Sequence, residues 1–376
     1  MNLILHIGTH KTASTSLQHF FTLNREVLHR NGIHYPSNSN SAYVANFLAG
    51  ELAFGRGGTV LSFLRKARND ARALGCPSVL ISGESFYAMT SFFLDLYDRR
   101  PEEVDYWDNE GRLVAELKNY CVMFDDVRVV CYVRPQDEFA GSIYNQMVKS
   151  TVGTSLSYPD FIMKLLPVFD YDRHLYLWKN AFGESSVRIA QFDDVGGNIL
   201  RHFCDQFLTP ACFEQADLND FLANTRLNRD VLEVKRAFNA VKPNRAYAFV
   251  AAAVFRDLSD SYPDGEGYQV FANQQVQREF FSVFKEGNLS LSEASGFYEP
   301  LPVATQGDSG YPGLSTNLGL EIAMRFMYEM ALPRRRVEVA MRRLARFVKE
   351  KMPGGRWIVL PAQMVLHRIR LRHKGW

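Results

Sequence analysis

Residues 3–18, Leu-Ile-Leu-His-Ile-Gly-Thr-His-Lys-Thr-Ala-Ser-Thr-Ser-Leu-Gln, constrain the fold more than any other stretch of this chain. An apolar run, Leu3–Ile7, is cut by Gly8. Lys11 follows, and Thr12, Ser14, Thr15 and Ser16 then lead into a helical pattern with Leu17, Phe20, Phe21, Val27 and Leu28 on one face. This order predicts a buried strand, a tight loop and a helix over Ser14–Arg30, ended near Asn31-Gly32. A helix that opens directly off a loop leaves backbone N–H groups unsatisfied and carries a positive dipole end there. The pattern reads as a holder for a phosphate-like anion.

The rest of the first half repeats the alternation. Short apolar runs at Ser78–Ser82, Val127–Val133 and Ser186–Gln191 predict further strands. Helical patterns fall near Val60–Leu74, Leu113–Phe124, Gln136–Lys149, Tyr171–Phe182 and Ile199–Leu208. Strands alternating with helices give an α/β fold with a central parallel sheet flanked by helices, and such sheets bind ligands beyond the C-terminal ends of their strands. After Cys212 the strand signals fade. Residues 228–260 read as helical, and 261–320, rich in Gly, Pro, Ser and Asn, as loops with short helices. The expected division is a core over 1–212, a mostly helical extension of the same domain over 213–330 and a tail over 331–376.

Composition excludes several classes. At 47% hydrophobic and 22% charged the chain is of globular type. No apolar stretch approaches the about 18 residues needed to span a bilayer, and no signal-peptide core opens the sequence. Cys76, Cys121, Cys131, Cys204 and Cys212 form no Cys-x-x-Cys pair and no zinc spacing with His. Reduced, mostly buried thiols, a cytoplasmic location and no bound metal are expected.

The anion loop is not a nucleoside-triphosphate loop. That motif needs Gly, four residues, then Gly-Lys-Ser/Thr. Here Lys11 lies too close to Gly8 and no glycine precedes it. The strand Val127–Val133 also runs into Arg134 instead of a magnesium-binding Asp, which disfavours a kinase or ATPase.

Lys11-Thr12-Ala13-Ser14-Thr15-Ser16-Leu17 resembles the 5′-phosphosulfate loop of sulfotransferases that use 3′-phosphoadenosine 5′-phosphosulfate (PAPS), in which a strand and a Gly precede Lys-[Thr/Ser]-Gly-[Thr/Ser]-Thr-x-Leu. Ala13 stands where Gly is usual; alanine tolerates most turns with φ below zero. Arg134 ends a strand, Pro135 suits the first turn of the next helix, and Ser142 follows eight residues on. That spacing resembles the family's 3′-phosphate motif, and Arg-Pro-Gln-Asp-Glu-Phe-Ala-Gly-Ser is especially similar to bacterial members. An arginine fork suits phosphate oxygens. The resemblance implies a P-loop-like three-layer fold. It also implies a PAPS site of Gly8, Lys11, Thr12, Ala13, Ser14, Thr15, Ser16, Arg134 and Ser142, with PAPS as co-substrate and no metal.

Glu84, in Gly83-Glu84-Ser85-Phe86-Tyr87 after the strand Ser78–Ser82, resembles the general base of the glycan sulfotransferases. A hydroxyl that attacks sulfur must lose its proton, and a carboxylate within reach can take it. His10 and His34 are second choices for that role; His6, inside a buried strand, reads as a core residue. Tyr171–Trp178 resembles a later helix of the family that organises the core. The implied activity is sulfuryl transfer to a hydroxyl of a sugar or polysaccharide, such as a capsule or exopolysaccharide. The alternative is a non-catalytic, membrane-surface polysaccharide-assembly protein with a degenerate nucleotide site.

The net charge of +2 hides an asymmetry: residues 334–376 hold 13 Lys/Arg against 2 Asp/Glu. Arg334-Arg335-Arg336, Arg342-Arg343, Arg346, Lys349 and Lys351 interleave with Val337, Val339, Leu344, Phe347 and Val348. An anionic membrane surface or an acidic polysaccharide is the expected partner, with packing on the main domain as the bland alternative. No nucleic-acid-binding fold is recognisable.

Overall fold

In the computed structural model β1 (Asn2–Gly8) is the middle strand of a five-stranded, all-parallel sheet. The structure describes residues 1–36, 44–95, 105–151, 153–192, 195, 198–218, 226–262, 271, 273–295 and 314–331. In chain order β1 is followed by α1 (Ser14–Leu23), α2 (Arg25–Arg30), β2 (Ile33–His34), α3 (Val44–Ala53), α4 (Gly57–Ala73) and β3 (Ser78–Ser82). Next come α5 (Tyr106–Cys121), β4 (Asp126–Val133), α6 (Gln136–Lys149), α7 (Tyr158–Lys164), α8 (Tyr171–Phe182), β5 (Val187–Gln191), α9 (Ile199–Phe207) and α10 (Ala211–Glu214). The described chain ends with α11 (Arg229–Ala240), α12 (Arg245–Ser259), α13 (Gln274–Ser282), α14 (Lys285–Ser295) and α15 (Thr316–Ala331).

The sheet order is β2-β3-β1-β4-β5. The link from β3 to β4 passes over β1, so the strand order reverses there, which is where open α/β sheets form their binding crevice. His6 of β1 is level with Ser82 of β3, and Gly8 with Cys131 of β4 after a bulge at Ile7. The C-terminal ends of three neighbouring strands thus converge. Both faces of the sheet are covered. Ile4, Leu80, Val130 and Tyr132 pack under Leu17, Phe20 and Phe21 of α1 and Phe203 and Phe207 of α9. Strand residues of the opposite parity, Leu3, Leu5 and Ile7, are buried as well.

Packing divides the described residues into two compact units, described separately. One comprises Met1–Ile143, Pro159–Asn224 and Asn273–Asp308 and holds the sheet; the other comprises Tyr144–Tyr158, Thr225–Ala272 and Ser309–Trp376. The basic segment 334–376 lies outside the described residues.

The expected strands are present. The helix expected over Ser14–Arg30 is two helices, broken at Asn24. Its side-chain amide donates to the carbonyls of Phe20 and Asp217 and accepts from Asp217 N at 2.7 Å. A short amide side chain that bonds backbone competes with helix continuation. The helical region 228–260 is likewise split at Val241–Asn244, where Lys242 takes φ 48° ahead of Pro243. Asn228 and Asn244 cap the two resulting helices. The edge strand β2 and helices α3 and α7 had no clear sequence signal. All five cysteines are buried and unpaired.

Candidate functional site

Three segments meet at the C-terminal edge of the sheet: the loop Gly8–Ala13 after β1, the turn at Glu84 after β3, and Arg134 after β4. Gly8 is where the first two touch. It has φ 93°, and a Cβ placed on it would lie 2.7 Å from Glu84 Cβ and 2.8 Å from Glu84 Cα. Only glycine permits that approach with that backbone.

The loop is strung in left-handed conformations. Lys11 has φ 68° and Ala13 φ 55°, ψ 24°. Ala13 thus keeps the left-handed backbone that a glycine would adopt freely at this position. The short loop must turn into α1 within a few residues, and that demand outweighs alanine's preference. Thr12 and Ser14 are buried, and both donate their hydroxyls to the carbonyl of Thr9, at 2.7 and 3.2 Å. These two side chains brace the loop from inside. Ala13, at the N-cap, supplies no side-chain cap to α1, and the first i→i−4 bond of the helix is Leu17 N to Ala13 O. The N–H groups of Ser14, Thr15 and Ser16 precede that bond and form the dipole's positive end. Thr15 is exposed and Ser16 half-buried at the same end.

Arg134 closes the loop from the far side. It is buried, donates Nη1 to the carbonyl of Lys11 at 3.1 Å, and forms an ion pair with Glu138 one turn into α6. Its guanidinium lies 5.4 Å from the centroid of Phe192, and its own carbonyl accepts from Tyr171 Oη at 2.8 Å. Arg134 Nε is buried without a partner among the described residues. Ser142 lies buried on the second turn of α6.

Glu84 opens a short 3-10 turn. Its Oε2 accepts from Gln18 Nε2 at 2.7 Å, and Gln18 also reaches the carbonyl of Ser82 at 3.3 Å. Asn46 of α3 accepts from Ser85 N at 3.0 Å, holding the turn from the other side. His10 Nδ1 lies 3.9 Å from Glu84 Oε1, beyond hydrogen-bond range. Burial lowers the His10 pKa to about 4, opposed by Glu84, so the imidazole is neutral near pH 7 and the contact is no ion pair. A base that weak has little driving force for proton abstraction. The His10 ring packs at a tilt against Phe92, centroids 4.0 Å apart, in a π-helical turn over Thr90–Asp95. Buried Glu110 fixes the start of that turn by accepting from Met89 N and Thr90 N at 3.0 and 2.7 Å.

The other histidines lie elsewhere. His34 ends β2 and pairs with Val79 near the start of β3, away from the C-terminal ends of β1, β3 and β4, and its pKa is lowered by burial. His6 is fully buried, bonded to Ser82 Oγ at 2.8 Å and packed edge-on to Tyr132 and Phe203; burial lowers its pKa to about 4. Gln18, Phe92 and Phe192 were missed by sequence reasoning. Gln18 alone left a signal, as a polar residue beside Leu17, Phe20 and Phe21 on the buried face of α1. Among the described residues no group of three His, Cys, Asp or Glu is placed to hold a metal ion, and no helix is long and apolar enough to cross a membrane.

No protein-family model, curated protein or solved structure matches the chain.

Proposed function

We propose that this edge of the sheet binds PAPS and transfers its sulfuryl group to a sugar or polysaccharide hydroxyl. One observation carries the reading: the loop Gly8–Ser16, Glu84 and Arg134 converge, with Gly8 pressed on Glu84 and Arg134 bonded to the Lys11 carbonyl. An anion site, a carboxylate and a second cation within one crevice are the minimum set for in-line transfer from an anionic donor.

In this reading the left-handed loop and the N–H groups of Ser14–Ser16 hold the 5′-phosphate. Arg134, with Ser142, takes the 3′-phosphate. Lys11 faces the bridging oxygen. The acceptor oxygen forms its bond to sulfur as the bond from sulfur to the bridging oxygen breaks. Glu84 takes the acceptor proton, and adenosine 3′,5′-bisphosphate leaves with the bond's electron pair, its growing charge stabilised by Lys11. Removing one charge-stabilising contact of this kind lowers turnover by about 10²–10³. Gln18 orients Glu84 by donating to its carboxylate. A cytoplasmic location with peripheral attachment to a membrane fits such a donor.

Calorimetric titration with adenosine 3′,5′-bisphosphate and with ATP tests the proposal. Tight binding of the bisphosphate, weak binding of ATP and loss of binding in Arg134→Ala are expected. Comparable affinity for both nucleotides, or for neither, refutes it. Glu84→Gln then separates catalysis from a degenerate site. Unchanged bisphosphate affinity with lost sulfuryl transfer marks an enzyme; transfer that persists rules Glu84 out as the base.

A further inference from the structure

α15 is apolar on two sides, and its neighbours among the described residues use only one. Ile322, Phe326 and Met330 are buried. Phe326 stacks on Phe255 with ring centroids 4.3 Å apart and meets Phe238 at 5.3 Å, which fixes the helix's rotation. At about 100° per residue, Leu320, Met324, Met327 and Tyr328 fall together on another side. They are 59, 58, 60 and 67% exposed. The ion pair between Arg325 and Glu321, 3.1 Å, borders the stripe, and no charged side chain interrupts it. Single exposed leucines are ordinary; four large apolar side chains on one helix face mark an interaction surface.

The sequence that follows narrows the occupant. Arg334-Arg335-Arg336 comes three residues after the helix, and 334–376 holds 13 Lys/Arg against 2 Asp/Glu. We propose that the exposed face of α15 docks on an anionic lipid bilayer, its apolar side chains entering the headgroup boundary while the basic sequence meets the acidic headgroups. A bilayer presents an apolar layer directly beneath negative charge, which an apolar stripe continued by cationic sequence matches on both counts. A second copy of the chain would cover the stripe but bring two segments of like charge together. An acidic polysaccharide would neutralise the arginines and leave the stripe in water. The proposal stands independently of the sulfuryl-transfer reading, because every described residue it uses lies in the other unit.

Flotation of the full chain with vesicles of phosphatidylcholine alone, or mixed with phosphatidylserine, tests it. Binding to the anionic vesicles only, weakened by high salt, is expected. In the triple variant Leu320→Ser/Met324→Ser/Met327→Ser the partition coefficient should fall about tenfold or more, with far-ultraviolet circular dichroism unchanged. Equal binding by the variant and the parent overturns the proposal. So does a parent dimer, seen by sedimentation, that the variant loses without either binding vesicles. Retention of both proteins by a soluble acidic polysaccharide, with no flotation, overturns it in favour of the basic segment acting alone. A second readout does not depend on the triple variant folding: Tyr328→Trp should shift its emission to the blue on anionic vesicles, and an unshifted spectrum is an overturning result.

Discussion

Replacing Ala13 by glycine tests the backbone of the anion loop directly. At an ordinary position near a helix start the change is unfavourable twice over. Glycine loses about 0.5–1 kcal/mol through the freedom of the unfolded chain. Removing a partly buried methyl group loses roughly 0.4 kcal/mol more, about half of a fully buried one. Ala13 packs partly buried against the main core cluster, so that second loss applies here. The sum for a relaxed alanine is a destabilisation of roughly 1 kcal/mol. Ala13, however, sits at φ 55°, ψ 24°, where an L-residue costs about 1–2 kcal/mol that glycine does not. The strain released matches or exceeds the losses, so Ala13→Gly should be neutral or stabilising by up to about 1 kcal/mol. Ala13→Val, branched at Cβ in the same conformation, should destabilise by about 1 kcal/mol or more. The assay is the urea midpoint at constant slope. A loss of about 1 kcal/mol in Ala13→Gly, or an Ala13→Val variant as stable as the parent, would refute the left-handed assignment.

Gly8→Ala should be among the most damaging single-methyl additions in the sheet unit. Its Cβ would fall within 2.8 Å of Glu84 backbone at φ 93°, so a destabilisation of about 2–3 kcal/mol is expected, read by urea unfolding; wild-type stability would mean that Gly8 and Glu84 are farther apart. On the proposed function, Glu138 competes with the 3′-phosphate for Arg134. Its side chain is 45% exposed, so the pair is worth about 0.2–1 kcal/mol, and Glu138→Gln should tighten adenosine 3′,5′-bisphosphate binding by up to about fivefold in calorimetry, whereas weaker binding would mean that Glu138 supports the site. Stability should fall as pH falls from 6.5. His6 and His174 are fully buried, and burial lowers their pKa values to about 4 and about 3, so the unfolded chain binds more protons between pH 6.5 and 4. The stability these neutral rings confer is complete above pH 6.5 and is lost on acidification at up to about 1.4 kcal/mol per pH unit for each. Urea midpoints at pH 7, 6 and 5 check this, and a flat profile would contradict it.

The strands could be read because a strand covered on both faces is a continuous apolar run, and Gly8, Gly83 and the Arg134-Pro135 step punctuate three of them at their C-terminal ends. A parallel sheet gathers those ends on one edge, so the meeting of Gly8, Lys11, Glu84 and Arg134 followed from topology. β2 could not be read, since two residues carry no period and Ile33 and His34 are strand only by pairing with Ser78 and Val79. The break at Asn24 was hidden for a related reason: the apolar pattern runs through it, and the competing bonds come from Asp217. The same holds within the site. Gln18, Phe92 and Phe192 matter through what they touch, namely a carboxylate, an imidazole and a guanidinium that the fold delivers from other segments.

Ala13 is the sharpest case, because nothing in its own side chain calls for the left-handed backbone it adopts. The loop must leave β1 at Gly8, keep the Thr9 carbonyl turned towards Thr12 and Ser14, offer the Lys11 carbonyl to Arg134, and enter α1 at Ser14. So few residues meet all four demands only by alternating hand, with Lys11 and Ala13 left-handed around Thr12. Backbone strain of this kind persists when surrounding structure over-determines it, and it gathers where a chain must aim its amides at something. In this loop the bracing is supplied by Thr12, Ser14 and Arg134. The strain is therefore held from three directions.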